Sequence, residues 1–128
     1  MKTFILSLLL LVSTGIFAQT DPTDQIVAAV KTGNAKEIAK FFADNIDLAV
    51  PPDTDEFFSR SQAEQILKKF FETHAPKNFT ITQKGKTQLG IEYRIGTLET
   101  ANGTFRVNIN MRPVGDAFQI NQFRIDVP

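Results

Sequence analysis

Two side chains in this sequence have the types that acid–base chemistry near neutral pH needs: His74, the one histidine, and Tyr93, the one tyrosine. A histidine can act as general base or ligand contact, and a tyrosine hydroxyl beside it can donate a hydrogen bond to a developing oxyanion. Each also has a plain structural reading, which is preferred: a helix-end histidine favoured by the C-terminal dipole, and a core tyrosine whose hydroxyl reaches a partner at the edge. Glu99 is a third candidate, turned to the buried side in only one of two strand registers, and Asp47 alternates with Ile46 and Leu48 so that it is expected to face water. Other chemistries lack their residues. With one histidine and no cysteine the three or four clustered ligands of a zinc site are not available, and no thiolate nucleophile exists. Spacing assigns no Ser-His-Asp set, and neither a phosphate-binding G-x-x-x-x-G-K-[ST] loop nor a G-x-G-x-x-G fingerprint occurs. No metal and no cofactor is expected.

The element that must position His74 is the stretch Ser61 to His74. Ala63, Ile66, Leu67, Phe70, Phe71 and His74 recur at the spacing of one helical face, with Gln62, Glu64, Lys68, Lys69 and Glu72 mostly opposite. Ser61 and Glu64 form a capping-box pattern, so the helix is predicted to start there, and Pro76 blocks its continuation. Such a helix needs an apolar surface to lie on.

Upstream, Asp21, Pro22 and Asp24 mark a helix start, Ile26, Val27 and Val30 its buried face, and Gly33 its end. Asn34 then caps a second short helix, with Glu37 at the capping-box position and Ile38, Phe41 and Phe42 on the buried side. From Ile46 to Val50 the period changes to two, a turn spans Pro51 to Asp55, and Glu56 to Ser59 returns as a short strand. After the long amphipathic helix come Phe79 to Gln83, a turn at Lys84 to Lys86, and three strands near Leu89 to Thr100, Thr104 to Arg112 and Ala117 to Val127. Short connections make these antiparallel neighbours.

Asn102-Gly103 allows two registers. A three-residue loop with Gly103 left-handed sets Ile91, Tyr93 and Ile95 against Pro113, Met111 and Ile109, Glu92 opposite Arg112, and Glu99 opposite Phe105; a two-residue turn sets Glu99 opposite Arg106. Both put Tyr93 and Ile95 on the core face. In the last strand Phe118 and Ile120 differ in parity from Phe123, Ile125 and Val127, which calls for a bulge at Asn121 or Gln122.

Composition bounds the partners. The chain of 128 residues suits one domain, and Met1 to Ala18, with Lys2, the apolar run Phe4 to Val12 and small residues before a cleavable Ala18, reads as a cleaved export signal. Domain boundaries of 1–18 for the signal and 19–128 for the folded unit follow, with a periplasmic or extracellular destination and no membrane anchor after cleavage. Without Lys2 the count is 13 basic against 14 acidic side chains, scattered rather than grouped, so nucleic acid is not an expected partner. Twelve phenylalanines, two of them in the signal, must build the core without disulfides.

The order helix, helix, two strands, helix, four strands resembles the α+β NTF2-like (cystatin-like) cone, a curved antiparallel sheet wrapped around one long helix with two short N-terminal helices. More specifically, FSRSQAEQILKKFFETHAPKNF, YRIGTLETANGTFRV and INQFRIDV resemble an uncharacterised domain-of-unknown-function family of small exported bacterial NTF2-like proteins, over about Asp24 to Val127. That family has no assigned reaction, and although ketosteroid isomerases and polyketide cyclases of the wider superfamily place an Asp or His base and a Tyr or Asp donor inside the cone, fold alone does not transfer chemistry. Two readings follow. The preferred one is a non-catalytic exported module binding a small apolar ligand or a protein partner, with His74, Tyr93, Phe70, Phe71 and Glu99 as candidate cone-lining residues. The alternative is a small enzyme acting on a hydrophobic substrate, with His74 as base and Tyr93 as donor. The sheet's outer face, expected to carry Glu92, Arg94, Asn108, Asn110, Arg112 and Arg124, is too polar for an obligate dimer, so a monomer or weak homodimer is expected.

Overall fold

Phenylalanine-rich amphipathic stretches and alternating strands meet around one core in the structure, a computed structural model that describes residues 20–128. The proposed signal, Met1 to Ala18, lies outside the described residues. In chain order the elements are α1 (Thr23–Lys31), α2 (Ala35–Ala39), β1 (Phe42–Val50), β2 (Thr54–Ser59), α3 (Arg60–Thr73), β3 (Pro76–Lys86), β4 (Glu92–Thr100), β5 (Gly103–Val114) and β6 (Ala117–Asp126). The six strands form one sheet in the order β2-β1-β6-β5-β4-β3. Neighbours are antiparallel except β1 and β6, which run parallel and join the first strand to the last.

Local chemistry sets the helix ends. The Asp21 carboxylate accepts from the Thr23 amide at 2.9 Å and so opens α1. At its other end Gly33, at φ +66°, reverses the chain, with the Gly33 amide donating to Val30 O at 3.0 Å and the Asn34 amide to Ala29 O at 2.9 Å. The Asn34 side chain then caps α2 by accepting from the Glu37 amide at 3.1 Å. Glu37 does not complete a box, because the Asn34 amide is already engaged; it pairs with Lys40 at 2.6 Å instead. Phe42, expected on the buried side of α2, is the first residue of β1, since α2 ends at Ala39; its ring meets Phe123 edge-on at 6.0 Å.

The main helix begins two residues earlier than the Ser61–Glu64 pattern implies. Ser59 is the cap: its hydroxyl accepts from the Gln62 amide and Gln62 Oε1 accepts from the Ser59 amide, both at 3.2 Å. Ser59 ends β2 at φ −66° and ψ 160°, the extended geometry a cap requires, whereas Ser61 is already helical. Ala63, Leu67, Phe70 and Phe71 are buried, as the periodicity implies. At 14 residues α3 spans about 21 Å, so it is not one long helix covering the sheet alone. Ile26, Ala29 and Val30 of α1 and Ala35, Ile38 and Ala39 of α2 bury the rest of the apolar surface.

Several strands run past their expected limits. β3 continues through Lys84 to Lys86, and the reversal comes later, at Thr87 to Ile91, closed by Thr87 N–H to Ile91 O at 2.9 Å. Leu89, expected to begin the next strand, sits in that turn and is 87% exposed. The parity switch in β6 is a bulge at Asn121: Asn110 faces Gln122 while Met111 faces Ile120, which brings Ile120, Phe123 and Ile125 onto one buried face.

The β4–β5 register differs from both expectations. Thr100 pairs with Gly103, Leu98 with Phe105, Arg94 with Ile109 and Tyr93 with Asn110. Ala101 and Asn102 make the turn, and Gly103 is left-handed at φ +119° as expected, but the strands are slipped by one residue from the three-residue alternative. A slip of one reverses the faces. Arg94, Gly96, Leu98 and Thr100 therefore point into the core, while Tyr93, Ile95, Thr97 and Glu99 lie on the outer face. Glu92 accordingly faces Met111 rather than Arg112.

This register needs two glycines beneath two rings. A Cβ on Gly96 would lie 2.6 Å from the Thr80 carbonyl oxygen and 2.7 Å from the Phe79 ring, whereas one on Gly85 would meet only the Tyr93 ring, 2.3 Å from its hydroxyl. Backbone cannot withdraw as a side chain can. Gly96→Ala should therefore lower the stability of the fold by about 1–3 kcal/mol, and Gly85→Ala by less, as the half-buried Tyr93 ring swings away. Denaturant midpoints of the two variants give the order, and equal losses would contradict the ring-over-glycine arrangement.

Candidate functional site

The space between α3 and the sheet is where a cone-fold site would lie, and here it is filled. Phe70 packs edge-on against Phe71 at 5.6 Å and against Phe105 at 5.4 Å. Phe42, Phe79, Leu98, Ile109, Met111, Ile120 and Phe123 complete the same buried cluster, each with at most 1% of its surface exposed. Rings at these separations leave van der Waals contact rather than room for a ligand.

His74 closes one end of this cluster. It is the residue that caps α3, with its ring stacked on Phe70 at 4.3 Å and nearly parallel, and edge-on to Phe105 at 5.4 Å. Nδ1 lies 3.1 Å from the Phe70 carbonyl and 2.8 Å from Thr73 Oγ1, while Thr73 Oγ1 donates to that carbonyl at 3.1 Å. A proton on Nδ1 satisfies all three contacts, because the imidazole N–H then donates and the hydroxyl remains the carbonyl's second donor. That leaves only Nε2 for acid–base work. The helix-end role accounts for the polar contacts of His74, and closing the Phe70–Phe105 cluster for the ring contacts.

Tyr93 and Glu99 are on the opposite side of the sheet. Tyr93 lies over Gly85 on the outer face, and Glu99, paired with Thr104 and Asn78, is exposed there. Tyr93 is also five residues along β4 from Leu98, the partner of the Phe105 that His74 touches, or about 17 Å of strand. Phe70, Phe71 and His74 are thus brought together, and Tyr93 and Glu99 are not brought to them.

Arg94 is the charged group that sequence reasoning placed wrongly. Its side chain is 5% exposed at the end of the core beneath the start of α1. Nε donates to Thr23 Oγ1 at 2.9 Å, one terminal nitrogen to the Tyr93 carbonyl at 2.9 Å, and the other to Asp21 at 3.0 Å and Glu92 at 3.1 Å. Four of its five N–H groups are engaged, so the guanidinium is a latch holding α1 on β4 rather than an open anion receptor. A cleft of about 230 Å³ beside it carries Asp24 and Lys84 at the rim. No local pattern separates Glu92-x-Arg94 from an ordinary solvent-facing pair, except that Leu98 has the parity of Arg94.

Asp47 does not simply face water. It accepts from Gln122 Nε2 at 3.0 Å, and Gln122 Oε1 in turn accepts from Asn110 at 2.7 Å. Arg124 forks onto both oxygens of Asp55 at 3.0 Å each and approaches Asp47 at 3.7 Å, so a polar ladder crosses four strands of the outer face.

Two carboxyls are shifted by these contacts. Burial pushes Asp21 up, but the hydrogen bonds from Thr23 and from Arg94, with the Arg94 charge, outweigh it and hold its pKa below the ordinary carboxylate value. The hydrogen bonds from Arg124 lower Asp55, against a smaller opposing effect of desolvation. A carboxyl with a folded pKa below its unfolded one, near ~3.9, contributes stability that is present above that value and lost as pH falls through the folded pKa. Acid should therefore weaken the fold progressively below about pH 4, and Asp21→Asn should flatten that decline. Urea midpoints between about pH 6 and pH 2.5 measure both slopes, and identical acid limbs would count against the latch.

Comparison with known proteins agrees with this architecture. The model of the family described as "Domain of unknown function (DUF4783)" matches residues 23–126. A DUF4783 family protein of known structure from Bacteroides fragilis YCH46 is 35% identical, with a TM-score of 0.74 over 80% of this chain and 95% of that one. Another from Bacteroides uniformis ATCC 8492 is 32% identical, with a TM-score of 0.77 over 84% of this chain and 98% of that one. An NTF2-like protein of unknown function from Cytophaga hutchinsonii ATCC 33406, 12% identical with a TM-score of 0.57 over 86% of this chain and 89% of that one, shows the fold alone. No curated protein matches the sequence. The chain belongs to the DUF4783 family, an uncharacterised bacterial family, and carries its NTF2-like fold of curved six-stranded sheet and helices.

Proposed function

We propose that this protein is an exported, non-catalytic NTF2-like module that engages a protein partner through its exterior rather than a small apolar ligand inside the cone. The observation that carries this reading is the filled cone: Phe70, Phe71 and Phe105 occupy the space a ligand would need, and Arg94 latches α1 across one end. The enzyme alternative requires His74 and Tyr93 on one wall, and they lie on opposite faces of the sheet. A monomer or weak homodimer fits the outer face, where Asp47, Gln122, Asn110, Arg124 and Asp55 satisfy one another; Glu92 and Arg94, counted among the outer residues from sequence, are not on it.

Export to the periplasm or the extracellular space is part of the proposal and rests on the pattern of Met1 to Ala18. Protein recovered from an envelope or secreted fraction should begin near Gln19. An intact mass that retains Met1 to Ala18 would rule the cleavage out.

The closed cone has its own test. Phe70→Ala removes a ring that touches Phe71, His74 and Phe105, and should cost about 3–5 kcal/mol. His74→Ala should cost about 1 kcal/mol, the scale of a lost helix-end interaction. The wild type should give no saturable signal with a fluorescent apolar probe that His74→Ala abolishes. A mild Phe70→Ala effect, together with saturable probe binding that His74→Ala abolishes, would replace the module with a cone-binding protein or enzyme.

A further inference from the structure

The two edges of the sheet are not alike. β3 at one edge carries Lys77, Lys84 and Lys86 and turns its apolar residues, Phe79 and Ile81, to the core. Lysines on an edge strand are a common guard against further pairing. β2 at the other edge pairs only with β1 and has the sequence Thr54-Asp55-Glu56-Phe57-Phe58-Ser59. Here Phe57 is 73% exposed on the outer face, while Phe58, on the inner face, forms with Ile66 the apolar wall of an open groove of about 460 Å³ between β2 and α3. Glu56 shares Phe58's face one repeat, about 7 Å, further along the strand. Among the described residues neither Glu56 nor the neighbouring Asp53 engages a cation.

We propose that the free edge of β2 binds an extended segment of a partner protein that adds as an antiparallel strand and carries two apolar residues followed by a lysine or arginine. The order follows from the edge itself. In an antiparallel addition the first apolar side chain lies opposite Phe58 and enters the groove beside Ile66, the second lies over Phe57 on the outer face, and the cation reaches Glu56. A second copy of this chain fits less well. β2 holds no cation to meet the carboxylates of another β2, and β3 offers lysines without a free apolar side chain. Charge complementarity therefore favours a basic–apolar segment from another protein.

This inference rests on the reading of the chain as an exterior-binding module, and the test separates the two. A labelled peptide of about eight residues with two valines followed by lysine at its centre is titrated into the purified protein, with backbone amide shifts and fluorescence anisotropy recorded. Saturable binding with shifts confined to 54–59 and the groove residue Ile66 is expected. Glu56→Lys should weaken it about tenfold, and a peptide with glutamate in place of lysine should recover the loss on that variant. Phe57→Ser should weaken binding without altering the melting curve, and a proline at the second apolar position should abolish it. The proposal is overturned by no saturable binding at millimolar peptide, by equal binding of the proline peptide, by indifference to Glu56→Lys, or by light scattering in which Phe57 drives self-association. Failure of the peptide with a silent apolar probe removes only the edge site; failure with a saturable probe in the cone removes the module reading as well.

Discussion

The turn at Ala101 and Asn102 decides which side chains of the sheet face the helices. The Asn102 side chain donates to the Thr73 carbonyl at the end of α3, and the Ala101 amide donates to Ala75 O at 2.9 Å. The helix end and the hairpin thus fix each other. Thr100 Oγ1 adds a local brace, donating to the Gly103 carbonyl at 2.7 Å and accepting from the Asn102 amide at 3.1 Å. Since strand side chains alternate, a turn held at this position commits every residue of β4 to a face, and one step either way would exchange Leu98 for Glu99 in the core.

The same constraint buries a guanidinium. Removing Arg94 from water is unfavourable unless its charge is paired and its donors are used, and both conditions hold, through Asp21, Glu92, Thr23 and a backbone carbonyl. Such a cluster is weak support for net stability, because desolvation offsets much of the attraction. Its effect is directional. Only one placement of α1 supplies Asp21 and Thr23 to Arg94, so the latch selects how the first helix docks over the end of the cone.

What was legible in the sequence was whatever a local period or a parity switch could carry. The α3 stripe was readable because Leu67, Phe70 and Phe71 are large and evenly spaced, and the β6 bulge because Ile120 and Phe123 cannot share a face without it. The helix start was misplaced by two residues: Ser61-x-x-Glu64 matches a capping box, but so does Ser59-x-x-Gln62, and the end of β2 selects the latter. β4 misled for a physical reason: it is apolar on both faces, Tyr93 and Ile95 on one and Leu98 on the other, and its one buried cation is invisible without its partners. The parallel β1–β6 contact joins residues about 75 positions apart and has no local mark. Of the candidate site, the His74 end of the Phe70 stripe was readable, and the separation of Tyr93 and Glu99 from it was not, because that depends on the register.

A cone packed with phenylalanine moves the question of function to the surface, and the surface is satisfied unevenly. Across the outer face the amides of Asn110 and Gln122 and the fork of Arg124 on Asp55 join β5, β6, β1 and β2 with hydrogen bonds, so these polar groups have protein partners of their own. An interface there would have to break or desolvate that ladder, which disfavours a large apolar contact. The edges differ, since an edge strand keeps unpaired N–H and C=O groups whatever its side chains do. On β3 those groups lie among lysines, while on β2 they lie beside two phenylalanines and Glu56, a carboxylate that engages no cation among the described residues. Backbone pairing, apolar contact and a missing countercharge therefore coincide at one edge only, and that coincidence distinguishes an accepting edge from a guarded one.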